Sequence, residues 1–367
     1  MATAQQLRTA TARLTELRSS FKAHGIDGFI ITDVHALRYL FGYSGSMASA
    51  IVTKKKVHFF TNDLYAVQVQ KELFKVEGLS IHIDRNFWSA AAAAGVPKVC
   101  AALGFDASRT TMGAHAAMKK ALAPCKLVDV SGLVDTLTMV KAAYEIKEIA
   151  KAAQIVSTAY ERMLGVVEAG HTERDVANFL ATVTRELGSE KDAFDIIVVA
   201  GARSAMPHGR ASTNTIKKGD VVTVDFGACV NGFYSDMTRT FCVGQPSKKV
   251  MDVFAVLYDA HMTALDAAKS GVIAADLDAA ARDIITRAGY GENFKHSLGH
   301  GLGYEVHEMP RISYMNKKQA LPTDCVITIE PGIYLPGKFG MRIEDDVVIK
   351  PHGPEILTSA PTELVVV

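Results

Sequence analysis

The sequence predicts an α/β domain followed by an α+β domain, divided at about residue 135. Three observations lead there. A chain of 367 residues, 49% of them hydrophobic, has material for two separate cores. From residue 28 to about 135, short β-rich runs alternate with helical stretches, the pattern of a mixed α/β domain. Beyond residue 195 the texture changes to β-runs and turns, interrupted by one helical block from about 248 to 288. The expected domains are therefore residues 1–135 and 136–367.

In the first twenty residues, Leu7, Leu14 and Leu17 are spaced for one helical face that runs on into Phe21. The same stretch carries Arg8, Arg13 and Arg18 against a single acid, Glu16, a composition also found in organellar transit peptides. The periodicity favours the first helix of the fold. β-rich runs follow at 28–32, 50–53, 57–61 and 79–83. Neither GxGxxG nor GxxxxGK[ST] opens a helix, so a nucleotide site has no support. Residues 140–187 read as helices, with Lys141, Glu145, Lys147, Glu148 and Lys151 able to pair on a wet face and Ile146, Ile149, Ala153 and Ile155 on an apolar one.

Charge narrows the function. The 40 basic and 39 acidic residues nearly cancel, and no long block of one sign occurs, which argues against nucleic acid or a membrane surface and for a small, roughly neutral substrate. Five cysteines without a CxxC pair read as reduced thiols of a cytoplasmic protein. No window approaches the roughly 18 to 20 unbroken apolar residues of a membrane span.

The chemistry concentrates in three segments of the second half. In VVTVDFGACVNGFYSDMTRTF, residues 221–241, two β-patterned arms flank Asn231-Gly232, a strong hairpin signal. Counting outward from that turn sets Gly227 opposite Asp236 and puts Asp225 and Asp236 on one face as diagonal neighbours. Gly227 would leave room for a shared ion. Two carboxylates held together in a covered sheet repel unless a proton or cation intervenes. In VITIEPGIYLPGKFGMRIEDDVVI, residues 326–349, Glu330 and Glu344 lie equally far from Gly337, so a hairpin centred there would set them opposite one another.

Between the hairpins, FKHSLGHGLGYEVHEMPRIS holds His296, His300 and His307 within twelve positions, with glycines around His300 that allow close backbone approach. Oxygen-rich donors with one imidazole suit Mn²⁺, Co²⁺, Fe²⁺ or Zn²⁺, and four acids balance two dications. Two metals about 3.5 to 4 Å apart can share an activated water and clamp a tetrahedral intermediate, which points to hydrolysis.

These segments resemble the Xaa-Pro peptidase branch of the pita-bread metallopeptidases, the group of prolidase, aminopeptidase P and methionine aminopeptidase. SAMPHGR (204–210), DFG with SDMTRT (225–240), HSLGHGLGYEVHE (296–308), IEPGIY (329–334) and MRIED (341–345) occur in that family's order and spacing. DFG alone also occurs in kinases, but no HRD or glycine-rich loop accompanies it. The resemblance implies a creatinase-like amino-terminal domain and a pseudo-symmetric pita-bread catalytic domain with a curved sheet. It implies Asp225, Asp236, His300, Glu330 and Glu344 as ligands of two divalent ions, manganese first, with Asp236 and Glu344 bridging or chelating and Glu330 doubling as proton shuttle. His208 and His307 would bind and polarise the substrate carbonyl, and His296 would line the substrate pocket. Arg342, grouped with the substrate-binding residues, would hold a metal-bound aspartate by an ion pair. A homodimer is implied too, with RYLFGYSGS (38–46) leaning over the partner's site; ordinary packing of Tyr39, Phe41 and Tyr43 is the alternative.

The expected activity is hydrolysis of the bond before proline, most readily in Xaa-Pro dipeptides. Aminopeptidase P activity on longer peptides is the nearest alternative, followed by a non-peptidase hydrolase or lyase of the same fold and by a non-catalytic binding protein. Arg311 bears on the first choice, because a dipeptidase must hold a free carboxylate just beyond proline. A surface salt bridge is its other reading.

Overall fold

The computed structural model describes residues 2–367, which divide into one compact unit up to Thr138 and another from Met139 to Val367. Among the described residues no helix is long and apolar enough to cross a membrane.

The first unit is built on a mixed six-stranded sheet in the order Leu79–Ile83, Val57–Thr61, Ser49–Thr53, Gly28–Ile31, Ala102–Phe105, Lys126–Asp129. Helix Ala4–Ser20 opens with a capping box at Thr3 and buries Ala10, Leu14 and Leu17. Two of its three arginines make fold contacts: Arg13 lies over the Tyr39 ring at 3.8 Å and donates to Tyr39 O at 2.9 Å, while Arg18 Nε donates to Thr53 O at 2.9 Å. Tyr39, Phe41 and Tyr43 are buried in this unit's own core, the last two edge-on to Phe59. Ordinary packing thus accounts for all three rings.

In the second unit each of two sheets carries a pair of helices. A four-stranded sheet, ordered Val365–Val366, Met237–Cys242, Val221–Phe226, Ile197–Ala200, shares a core with helices Ala143–Leu164 and Glu173–Glu186 through Val156, Leu180, Val222 and Val224. A five-stranded sheet, ordered Glu308–Ile312, Gly299–Gly301, Val326–Ile329, Asp345–Lys350, Gly353–Ile356, shares another with helices Lys248–Ala267 and Ala274–Arg287 through Leu257, Leu277, Ile327 and Val347. The single helical block expected there is two helices. The four-stranded sheet is tied by a 3.1 Å hydrogen bond from Glu344 N to Thr238 O to the segment leading into Asp345–Lys350, and by a 2.9 Å bond from Thr240 Oγ1 to Arg342 O to the two-stranded hairpin of Gly332–Leu335 and Phe339–Arg342.

The charged face expected before residue 152 is only partly wet. Lys151 pairs with Glu148 at 2.8 Å in solvent, but Lys141 and Glu145 are buried. Spacing alone could not reveal their distant partners.

Candidate metal centre

Asp225 lies in strand Val221–Phe226, and Asp236 immediately precedes Met237–Cys242. Asn231 and Gly232 adopt φ of 48° and 67°, the two positive values that a type I′ turn requires. Phe233 pairs with Val230 beside the turn and Thr238 with Asp225 farther out, a register without insertion that leaves Gly227 opposite Asp236. The aspartates therefore share a face. The reason for the glycine differs from expectation: a Cβ at Gly227 would come within 2.1 Å of Ser235 O and 2.6 Å of Ala193 Cβ, so close backbone approach requires it, not room for an ion.

The second hairpin is centred on Gly337, with Leu335 opposite Phe339 and Gly332 opposite Arg342. Beyond it, Ile329 opposite Asp345 keeps the same centring in the five-stranded sheet. Glu330 and Glu344 fall opposite each other in the gap between these two ladders.

His300 occupies the middle of strand Gly299–Gly301, squeezed from both sides. A Cβ at Gly299 would lie 2.0 Å from Thr328 O, and one at Gly301 2.1 Å from Met309 O. The His300 Nδ1 atom is 3.1 Å from Gly301 O, which can only accept, so the ring proton is assigned to Nδ1. That leaves Nε2 with a lone pair facing Glu330 Oε1 at 3.3 Å and Asp236 Oδ2 at 3.7 Å.

Ligand atoms converge in three overlapping sets, each within 4.8 Å: Asp225, Asp236 and Glu344; His300, Glu330 and Glu344; Asp236, His300 and His307. Asp236 and Glu344 each belong to two sets. Burial, with repulsion from neighbouring carboxylates, pushes Asp236 and Glu344 far above the usual carboxylate range. Burial also lifts Glu330 to about 8, against the nearby Arg342 charge, and lowers His300 to about 3. The neutral imidazole turns a lone pair toward the crowded carboxyl groups, and the buried Oδ1 atoms of Asp225 and Asp236 have no hydrogen-bond partner. Four carboxylates with one imidazole and no thiolate fit divalent first-row ions.

These shifts carry a stability consequence. With the folded Glu330 pKa near 8 against an ordinary 4.5, the metal-free protein binds more protons folded than unfolded in that interval. Asp236 and Glu344 act in the same direction. Stability contributed by the protonated cluster is lost as pH rises through the window, where a bound divalent ion would take the place of the protons. The gap in Tm between metal-loaded and chelated protein should widen from pH 5 to pH 8. A gap that stayed constant would contradict a carboxylate-held ion.

Around the candidate ligands lies a further layer of polar side chains. Thr238 Oγ1 donates to Glu344 Oε2 at 2.6 Å and accepts from Arg342 Nε at 2.9 Å. Thr328 Oγ1 donates to Glu330 Oε1 at 3.3 Å, and Asp346 Oδ2 accepts from Asp236 N at 3.0 Å. The Arg342 guanidinium is buried, with Nη2 on Asp225 Oδ2 at 2.5 Å and Nη1 on Tyr334 OH at 2.7 Å. It pairs with Asp225, the kind of aspartate contact that the ion-pair expectation named. Tyr334 OH then donates to His296 Nε2 at 3.0 Å, while His296 Nδ1 faces Ser297 O at 2.8 Å. His296 thus offers a pocket its ring edge, not a free nitrogen.

The remaining expected residues are exposed. The His307 ring lies 4.3 Å from that of His300, centre to centre, inclined at 55°. His208 follows the short helix Gly201–Ala205, its turn tethered by Arg342 Nη1 to Pro207 O at 3.3 Å. Arg311 stands opposite His300 in the strand pairing, so the two side chains share a face. Its guanidinium has no ion pair among the described residues, so the salt-bridge reading fails.

The model of metallopeptidase family M24 matches residues 147–351, and that of the creatinase/prolidase N-terminal domain matches residues 13–140. An uncharacterized peptidase of Bacillus subtilis, YqhT, is 38% identical over 356 residues, 96% of this chain and 99% of its own. The Xaa-Pro dipeptidase from Bacillus anthracis superposes with a TM-score of 0.94 at 37% identity, covering 98% of this chain and 100% of its own. The X-Pro aminopeptidase from Thermotoga maritima does so with a TM-score of 0.86 at 36% identity, covering 96% and 99%. Identity is nearly equal toward a dipeptidase and an aminopeptidase, so the choice between them falls to individual side chains.

Proposed function

We propose that this chain, which belongs to metallopeptidase family M24, is a two-metal Xaa-Pro peptidase whose preferred substrates are dipeptides. The observation that carries this reading is the convergence of Asp225, Asp236, His300, Glu330 and Glu344 on one buried spot beside an exposed, unpaired Arg311. Asp225 and Asp236 would hold one ion, His300 and Glu330 the other, with Asp236 and Glu344 shared. Bound there, two divalent ions would supply an activated water and a positive field for developing oxyanion charge. Manganese is the proposed ion, since the donors are mostly hard carboxylate oxygens.

The chain's own groups do the rest. His307 and His208 donate to the scissile carbonyl oxygen. Glu330 takes the proton of the attacking water and delivers it to the proline nitrogen as the C–N bond breaks, so the amine leaves neutral. Arg342 holds the Asp225 carboxylate, and Thr238 orients Glu344. Residues up to about 135 form the creatinase-like domain in this proposal, and the assembly is a homodimer, which sedimentation would test. Its cytoplasmic placement is supported by five free, buried cysteines.

Xaa-Pro, Xaa-Pro-Yaa and Xaa-Ala peptides assayed with Mn²⁺, Co²⁺ and Zn²⁺ separately test the reading. Fastest cleavage of Xaa-Pro with Mn²⁺ is expected, and cleavage of none would sink it. Arg311 tests the dipeptide preference. A guanidinium can grip the terminal carboxylate of Xaa-Pro by two parallel hydrogen bonds. A contact of that kind is worth about 1.5 to 3 kcal/mol, so Arg311→Ala should lower kcat/KM for dipeptides roughly ten- to a hundredfold. Tripeptides, whose carboxylate lies elsewhere, should change little. Equal loss on both would make aminopeptidase P the better description.

A further inference from the structure

The loop that presents His307, residues 302–307, is fastened by charges that arrive from the start of helix Ala143–Leu164. Glu308 closes the loop: its Oε2 accepts from the Tyr304 and Glu305 amides at 3.0 and 3.2 Å, and its Oε1 pairs with Lys141 Nζ. Both partners are buried, their side chains 0% and 4% exposed for Lys141 and Glu308. Lys141 Nζ also donates to Met139 O at 3.2 Å, and its stem runs under Gly303, where an added Cβ would meet Cε at 2.6 Å. Next along the same segment, Glu145 accepts from the Tyr304 hydroxyl through Oε1 and caps its own helix through Oε2, 2.8 Å from Ala142 N. At the far end of the loop His307 packs on the His300 ring.

We propose that Lys141 is a positioning residue for catalysis: through its buried pair with Glu308 it holds the 302–307 loop so that His307 stays against His300 and over the carboxylate cluster. The role rests on the substrate-binding function proposed for His307. Glu308 adjoins His307 in the chain, so its side chain sets where the loop re-enters strand Glu308–Ile312. Four of the five proposed metal ligands stand apart from this tie. Asp225 and Asp236 flank one hairpin and Glu330 and Glu344 the other, while His300, whose strand pairs with Glu308–Ile312, is also held from the opposite side by Thr328, whose Oγ1 accepts from its amide at 3.1 Å. The pair therefore acts on rate without acting on metal. A pair that served folding alone would show the opposite pattern, since restoring neutrality would restore everything.

The test uses metal-loaded Lys141→Met/Glu308→Gln, in which no buried charge is left uncompensated, with His307→Ala as reference and an Xaa-Pro dipeptide as substrate. The double variant should keep parental metal content and melt close to the parent. Its kcat should fall by about ten- to a hundredfold with KM nearly unchanged, the size expected when a supporting contact of a reacting group is lost. Should the double variant fail to fold, Lys141→Met alone carries the same criterion, because the Glu308 carboxylate still accepts from the Tyr304 and Glu305 amides. Parental kcat beside a slow His307→Ala would overturn the positioning role alone. A fast His307→Ala would overturn the function proposed for His307 and this inference with it.

Discussion

Replacing Asp236 or Glu344 by alanine should empty the centre and abolish turnover together. Each carboxylate belongs to two of the three ligand sets, so its loss weakens both ion positions at once. What then disappears is the activated water and the Lewis-acid field, worth several kcal/mol of transition-state stabilisation. At 1.36 kcal/mol per decade this is a fall in kcat/KM on the order of a thousandfold or more. Chelation of the parent should do the same, and added Mn²⁺ should restore the parent but not the variants. Metal content measured beside kcat/KM checks both outcomes. A variant that kept two ions per chain and a rate near the parent's would remove Asp236 or Glu344 from the centre.

The site is legible in the sequence where local rules determine geometry. Asn231-Gly232 specifies a two-residue turn, side chains alternate with period two, and together these set the Asp225–Asp236 relation before any tertiary contact is known. Symmetric placement about Gly337 does the same for Glu330 and Glu344, although these acids sit where one ladder ends and the next begins. Even Thr238 is within reach of that counting, since it pairs with Asp225. Nothing local marks it as the hydroxyl that orients Glu344, because that contact crosses from one sheet to the other over 106 positions of sequence.

Local rules fail where partners lie far apart in the chain. Lys141 and Glu145 have the i, i+4 spacing of a solvated pair, yet each is buried against the His307 loop, 167 and 159 positions away for Glu308 and Tyr304. Periodicity reports which face of a helix is apolar but cannot report that a charge meets its counter-charge inside. Arg342 shows the converse. Its motif is recognisable, but the Tyr334 hydroxyl linking it to His296 ties up a ring that the sequence leaves free. At Gly227 the hairpin count marks the right position but not its cause, since the neighbour there is a carbonyl of the returning strand, not an ion.

His307→Ala and His208→Ala should each slow turnover while leaving the metal in place, the reverse of the ligand variants. Both residues are exposed, and His307 sits against His300 beside the carboxylate cluster. A histidine that donates to the developing oxyanion contributes about 2.7 to 4 kcal/mol, so each loss should lower kcat roughly a hundred- to a thousandfold. Because the contact strengthens as charge builds on the carbonyl oxygen, KM should move far less than kcat. His307 is the more demanding case, since it also stands in a potential ligand set with Asp236 and His300. Metal content distinguishes its two possible roles. Parental stoichiometry with depressed kcat keeps His307 on the substrate, whereas loss of one ion per chain would make it a ligand and leave His208 as the sole oxyanion donor among these histidines.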